Sequence, residues 1–152
     1  VSAGTKELTL HNIDFRIGRL NVFDQADVSR VIAPFIPSLI PMFKAFGSAS
    51  ESDAKMAELI SASQPFLDAM ARMSRDDSRF VISTCLSVVR RRQGEAWSIV
   101  YNRDAGTMMF DDLDLSSVLP LVVRVVRDNL GPFISGILTG QAAPEVSPKA
   151  PR

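Results

Sequence analysis

The chain has 152 residues, 46% of them hydrophobic and 22% charged, which is the balance of an ordinary soluble globular protein. Its formal net charge is zero, so there is no electrostatic case for binding nucleic acid or an anionic membrane surface. The single cysteine, Cys85, excludes an intramolecular disulfide and any multi-cysteine metal site; the opening VSAGTKELTLHN lacks the apolar region of a signal peptide, and a reducing cytoplasm is the expected compartment.

In KELTLHNIDFRIGRL, residues 6–20, Leu8, Leu10, Ile13, Phe15 and Ile17 alternate with polar residues around His11-Asn12. That pattern predicts a hairpin with strands near 7–11 and 13–17, although the favoured Asn-Gly pair is absent. Such a hairpin is marginal alone and needs a helix or third strand over its apolar face. Residues 21–46 follow, with Asp24 as the expected N-cap and Asp27 in the first turn. Val28, Val31, Ile32, Phe35, Ile36, Leu39, Ile40 and Phe43 then keep helical spacing. Pro34, Pro37 and Pro41 interrupt it, each costing about 3 kcal/mol in a helix interior. The pattern therefore predicts one helix ending near Ala33, a break, and a second helix opening at Pro34 or Pro37.

Residues 47–53, GSASESD, read as a loop. Ser52 or Asp53 then caps a helix over about 53–73, with the stripe Met56, Leu59, Ile60, Phe66, Leu67, Met70 and Met73 and a kink near Ala62-Ser63 caused by Pro65. A further helix opens at Ser74, with Asp77 as the acid of a capping box. Its body, SRFVISTCLSVVRRRQ, buries Phe80, Val81, Cys85, Leu86, Val88 and Val89, and the apolar neighbours of Cys85 make it an inert core thiol. Arg90, Arg91 and Arg92 fall in the expected last turn, where cations suit the helix dipole, and Gln93-Gly94 closes the helix.

WSIVY and TMMF, joined by NRDAG, read as a second hairpin. Ser116 or Ser117 is the expected cap of the last helix; with Ser117 as cap, Pro120 falls at the third helical position, where its missing donor is harmless. Leu115, Leu119, Val122, Val126, Leu130, Phe133 and Ile137 form one helical stripe, with Arg124, Arg127 and Asp128 expected on the other side. A membrane span is unfavourable, because a charge at mid-span costs roughly 2.5–3.5 kcal/mol. Gly131-Pro132 is expected to divide the run into a helix to about Asn129 and a short helix from Pro132 to Leu138. The sequence thus predicts an α+β fold, mainly helical, with residues 1–140 as a single domain and 141–152 as a disordered Pro/Ala-rich tail. Pairing between the two hairpins is left open.

Chemistry-bearing constellations are few. His11 sits at a hairpin turn with Asp14 nearby. Asp104, Asp111, Asp112 and Asp114 lack the ligand periodicity and central glycine of a calcium loop, and read as a solvated loop and helix-start charges. Gly-rich phosphate loops, Gly-x-Ser-x-Gly and Cys-x-x-Cys are absent, and the arginine run has no aromatic platform around it in sequence. No catalytic, cofactor-binding or metal-ligating residue is assigned, no cofactor is expected, and the chain does not read as an enzyme.

The order of the segments FRIGRLNVFDQADVSRVIAPFIPSLIP, SRFVISTCLSVVRRRQ, WSIVYN…GTMMFDDLDL and VLPLVVRVVRDNLGPFI resembles the tail assembly chaperone proteins of tailed bacteriophages and prophages, over about residues 7–138. The resemblance implies a non-enzymatic protein of the host bacterial cytoplasm that is not retained in the mature virion. Its implied partners are the tape-measure protein, which such proteins coat and keep soluble, and the tail-tube protein, with no nucleic acid and no membrane. Self-association is left open. A helical partner exposing apolar stripes needs an apolar groove or helix face. The expected docking residues lie in the two proline-broken regions, 33–46 and 130–138: Phe35, Ile36, Leu39, Ile40, Phe43, Phe133, Ile134 and Ile137. The alternative is a structural tail component, a tube or completion protein, although those tend to be β-rich and this sequence offers two hairpins against four or five helices.

Overall fold

The N-terminal alternation folds as an antiparallel hairpin of β1 (Lys6–Leu10) and β2 (Ile13–Ile17), with Leu8 opposite Phe15 and Leu10 opposite Ile13. The computed structural model describes residues 6–40 and 64–139. His11 (φ 53) and Asn12 (φ 65) both take the left-handed conformation that a two-residue type I′ turn requires, so His-Asn serves in place of Asn-Gly. The third strand the hairpin needs is β3 (Val89–Gln93), which pairs Phe15 with Arg91 and Ile17 with Val89. β4 (Ala96–Ile99) pairs with β3 across a turn in which Gly94 has a φ of +64. The result is one sheet in the order β1-β2-β3-β4, which joins the first hairpin to the arginine run and to the first strand of the expected second hairpin, while the return strand TMMF stays outside it.

That sheet corrects two expectations. The arginine run does not end a helix: the preceding helix stops at Leu86, and Arg90, Arg91 and Arg92 belong to β3. The cause is long-range. Gly18 N donates to Val88 O at 2.9 Å, and a Cβ at Gly18 would lie only 2.8 Å from that oxygen, so β2 can approach the exit of the helix only because residue 18 is glycine. WSIVY likewise does not pair along its length with TMMF. Its first part joins β3, leaving a short second sheet of β5 (Tyr101–Asn102) and β6 (Thr107–Met108), closed by Gly106 N donating to Asn102 O at 2.7 Å.

The helices follow the predicted order with shifted ends. α1 (Val22–Ile32) is capped by Asn21, whose Oδ1 accepts from Asp24 N at 2.8 Å, so the cap lies three residues before the expected Asp24. Its end is the expected break, a 3-10 turn at Ala33–Phe35, and residues 36–40 (α2) resume the helix. Residues 64–71 form α3. The loop at 47–53, the kink at Ala62-Ser63 and the tail at 141–152 lie outside the described residues. α4 (Arg75–Leu86) opens as expected, with Ser74 Oγ accepting from Asp77 N at 3.0 Å.

The last helix, α5 (Leu115–Thr139), is continuous through Pro120 and Pro132, which corrects the division at Gly131-Pro132. Its cap is Asp114: the carboxylate accepts from Ser116 N at 3.1 Å and from Ser116 Oγ at 2.6 Å, and Asp114 O accepts the first helical bond, from Val118 N. Pro120 therefore lies inside the helix rather than in its harmless first turn. A mid-helix proline costs about 3 kcal/mol. Leu130 and Ile134, buried on either side of Pro132, each return about 1.5–3 kcal/mol, enough to carry the helix through.

α5 packs against α4, α1 and β2. Val118, Leu119, Leu121, Val122, Val123, Val125 and Val126 are all buried, so through this stretch the helix is covered on every side rather than along one stripe. Phe15, Ile17 and Val89 from the sheet, Val28 and Ile32 from α1, and Val81, Cys85 and Leu86 from α4 belong to the same core. Arg124 and Asp128, expected on the solvent side, are part of that interior. Arg124 is 2% exposed and its Nε donates to Asp128 Oδ2 at 3.0 Å, while Arg127 donates to the other carboxylate oxygen. Two members of the predicted stripe, Leu115 at its start and Phe133 near its other end, are exposed instead. Among the described residues, no helix is long and apolar enough to cross a membrane. The architecture is α+β, as the periodicities predict.

Candidate partner-binding site

Asn129, one turn before the end of the α5 core, sets α1 against α5. Its Oδ1 accepts from Leu20 N at 2.8 Å, and its Nδ2 donates to Val125 O at 2.9 Å and to Gly18 O at 3.3 Å. The connection from β2 into α1 is thus held on the surface of α5. Where the two helices diverge they leave a cleft of about 290 Å³ with an almost wholly apolar lining. Ala26, Ser29 and Ala33, at helical spacings of 3 and 4, make a floor without long side chains, and Ile36, Phe133 and Ile134 make its apolar wall. Phe133 is 57% exposed, a large apolar side chain left uncovered beside the cleft. Phe23, 78% exposed, lies one turn before Ala26 on the same stripe of α1.

Of the expected docking residues, Ile36, Phe133 and Ile134 come together at this cleft, although 97 positions of sequence separate Ile36 from Phe133. Ile134 is buried and contributes only its cleft-facing edge. Phe35 and Ile40 are half-buried; Phe35 lies under the Arg72 guanidinium at 5.7 Å, and Arg72 in turn donates to Ser38 Oγ at 3.1 Å. Leu39 is fully buried and serves the core, not a docking surface. Phe43 and the side chain of Ile137 lie outside the described residues. The α1 floor escaped the sequence reading. Its signal is a stripe of small residues at helical spacing, which a search for large apolar anchors passes over.

Arginine–carboxylate pairs fix the surroundings. Arg103, from the β5–β6 turn, grips both oxygens of Asp24 at 2.7 and 2.9 Å. That grip holds the Asp24 carboxyl below the usual carboxylate range despite the opposing effect of burial. Arg91 makes a second bidentate pair, with Asp112 at 2.8 and 3.0 Å, and its guanidinium lies 4.5 Å from the Phe110 ring centre. The arginine run therefore does meet an aromatic ring, but Arg91 is already engaged there. Arg91 lowers the Asp112 pKa, and the hydrogen bond from Ser116 lowers that of Asp114. The acidic loop is thus spent on one arginine and one helix cap. Burial, and secondarily the charge of Asp24, pushes the Cys85 thiol far up, away from reactive thiolate. His11 Nδ1 lies 3.3 Å from Ser117 Oγ and ties the first hairpin to the start of α5. Among the described residues, no group of three His, Cys, Asp or Glu side chains is arranged to hold a metal ion.

These features define a helical α+β protein whose apolar cleft, rather than a polar constellation, is the distinctive surface. The family model described as phage tail assembly chaperone protein, TAC, matches residues 11–140, from the turn of the first hairpin to just past the end of α5. The chain belongs to that family, and its role lies in the assembly of phage tails. Neither the curated proteins nor the solved structures gave a match to the chain.

Proposed function

We propose that this chain acts without an enzymatic step, in the host cytoplasm, by binding the tape-measure protein through the α1–α5 cleft during assembly of the tail tube, and that it leaves before the virion is complete. The cleft is the observation that carries the reading. An exposed phenylalanine stands beside a floor of Ala26, Ser29 and Ala33, on which the ridge of a partner helix can lie closely. Covering a phenylalanine that is only partly buried supplies about 1–2 kcal/mol, a useful anchor for a transient complex.

Co-expression with the tape-measure protein encoded nearby tests the reading. The wild-type chain is expected to raise the soluble yield of the tape-measure protein and to co-purify with it. Phe133→Asp, which removes the wall, and Ala26→Phe, which fills the floor, are expected to abolish co-purification while the free variants melt as the wild type does. Two proteins that stay separate and equally soluble with or without each other would defeat the proposal. A stoichiometric band of this chain in purified particles would instead favour the structural tail component.

A further inference from the structure

A second cleft, of about 340 Å³, lies between α4 and the β5–β6 hairpin. Arg79, Ile82, Ser83 and Leu86 face Tyr101 and Met108 across it. Arg75, Arg79, Ile82 and Leu86 recur at spacings of 4, 3 and 4, so they occupy one stripe of α4. The stripe has two chemically different halves. Toward the N-terminus it presents two exposed guanidinium groups, and toward the C-terminus it becomes apolar, with Leu86 as floor and exposed Met108 on the rim.

The two arginines are not explained by the fold. Among the described residues neither side chain makes an ion pair, whereas Arg16, Arg91, Arg92 and Arg103 are matched by Glu7, Asp112, Asp14 and Asp24. Arg75 also stands at the first position of α4, where a cation opposes the helix dipole, so helix stability does not account for it. Gly106, at φ +69 in the β5–β6 turn, leaves the mouth beside the Tyr101 hydroxyl without a side chain.

We infer that the α4 face is a second docking site, and that it takes a helical protein segment carrying apolar residues next to two carboxylates one turn apart. The charge of Arg75 and Arg79 selects the carboxylates. Their separation of four residues, about 6 Å along a helix, matches Asp or Glu at i and i+4 of a partner helix lying alongside. The apolar half selects the adjoining aliphatic or aromatic residues, and Met108 adapts to their shape. A nucleic acid would use the arginines but gain little from the apolar half. The site shares no lining residue with the α1–α5 cleft and does not depend on what that cleft binds.

Selection of a displayed random-peptide library on the full chain, followed by fluorescence anisotropy with the enriched peptides, tests the inference. Enriched peptides are expected to share apolar residues beside Asp or Glu spaced by three or four. Arg75→Glu with Arg79→Glu is expected to weaken their binding about tenfold, the scale of two exposed ion pairs, and lysine in place of the peptide's acids is expected to restore it. Should the double variant fail to fold, Arg79→Gln carries the same comparison. Met108→Ser is expected to weaken binding without rescue by the charge swap. The inference is overturned if no peptide is enriched, if enriched peptides lack acids, or if the arginine variants bind them as tightly as the wild type. Self-association that Arg79→Glu abolishes would also overturn it, by assigning the face to a second copy of the chain.

Discussion

Asp24 is the residue to which local reading assigned the wrong role, the cap of α1. Asn21 and Asp24 are both good helix caps, and nothing within one turn of either chooses between them. The choice falls to Arg103, 79 positions away, which engages both carboxylate oxygens and leaves the cap to Asn21. The pair has a pH signature. The folded-state pKa of Asp24 is depressed, so its contribution is fully present above the unfolded carboxylate value of about 3.9 and is lost as pH falls through the lower folded value. Without Arg103, burial is left to raise that pKa. Arg103→Leu is therefore expected to destabilise the chain at neutral pH by roughly 1–2 kcal/mol, reduced by the half-exposed position of Arg103. In urea titrations across pH the gap between variant and wild type should shrink steadily below about pH 4. A gap of constant size would assign the loss to packing instead.

At the scale of elements, α5 and β3 show where periodicity holds and where it gives way. The stripe from Leu119 to Leu130 was legible because core helices carry that spacing. The reach of the helix was not, because Pro132 is a local stop signal that the burial of Leu130 and Ile134 outweighs. Pro132 still lacks its own donor and crowds the carbonyl of Asp128. Pro132→Ala is therefore expected to raise stability by about 2 kcal/mol, the helix gain less the entropy that proline removes from the unfolded chain. It should be read as a rise in thermal midpoint, and an unchanged or lower midpoint would show that the proline is already accommodated without strain. β3 is the opposite case. VVRRRQ continues a helical pattern, yet the backbone partners offered by β2 and β4 take it as a strand. Ser74 and its bond from Asp77 N, by contrast, were legible because the whole motif lies within four residues.

At the scale of the molecule, Asn129 joins the exit of β2, the entry of α1 and the core helix through one amide. Asn129→Leu would leave Leu20 N and Gly18 O without that partner in a part-buried setting, at roughly 2–4 kcal/mol. The expected result is a lower urea midpoint together with faster hydrogen exchange at the Leu20 amide. Unchanged exchange there would mean the junction is held by other contacts. The α1–α5 cleft is a product of this junction, and so the sequence could name Ile36, Phe133 and Ile134 without knowing that they meet.

The sequence by itself determined the first hairpin and its turn, the start of α4, the proline break after Ile32, the α+β class and the order of segments shared with the tail assembly chaperones. Each of these rests on backbone preference, capping or apolar spacing acting over a few residues. Tertiary structure alone decided that the arginine run and the first part of WSIVY join the first hairpin in one sheet, that Arg124 and Asp128 are interior, and that α1 and α5 enclose a cleft with small residues on its floor. Those outcomes depend on which distant groups meet. A strand has two edges to offer, a carboxylate can cap or pair, and only the packed chain, in which every buried polar group must find a partner, settles between them.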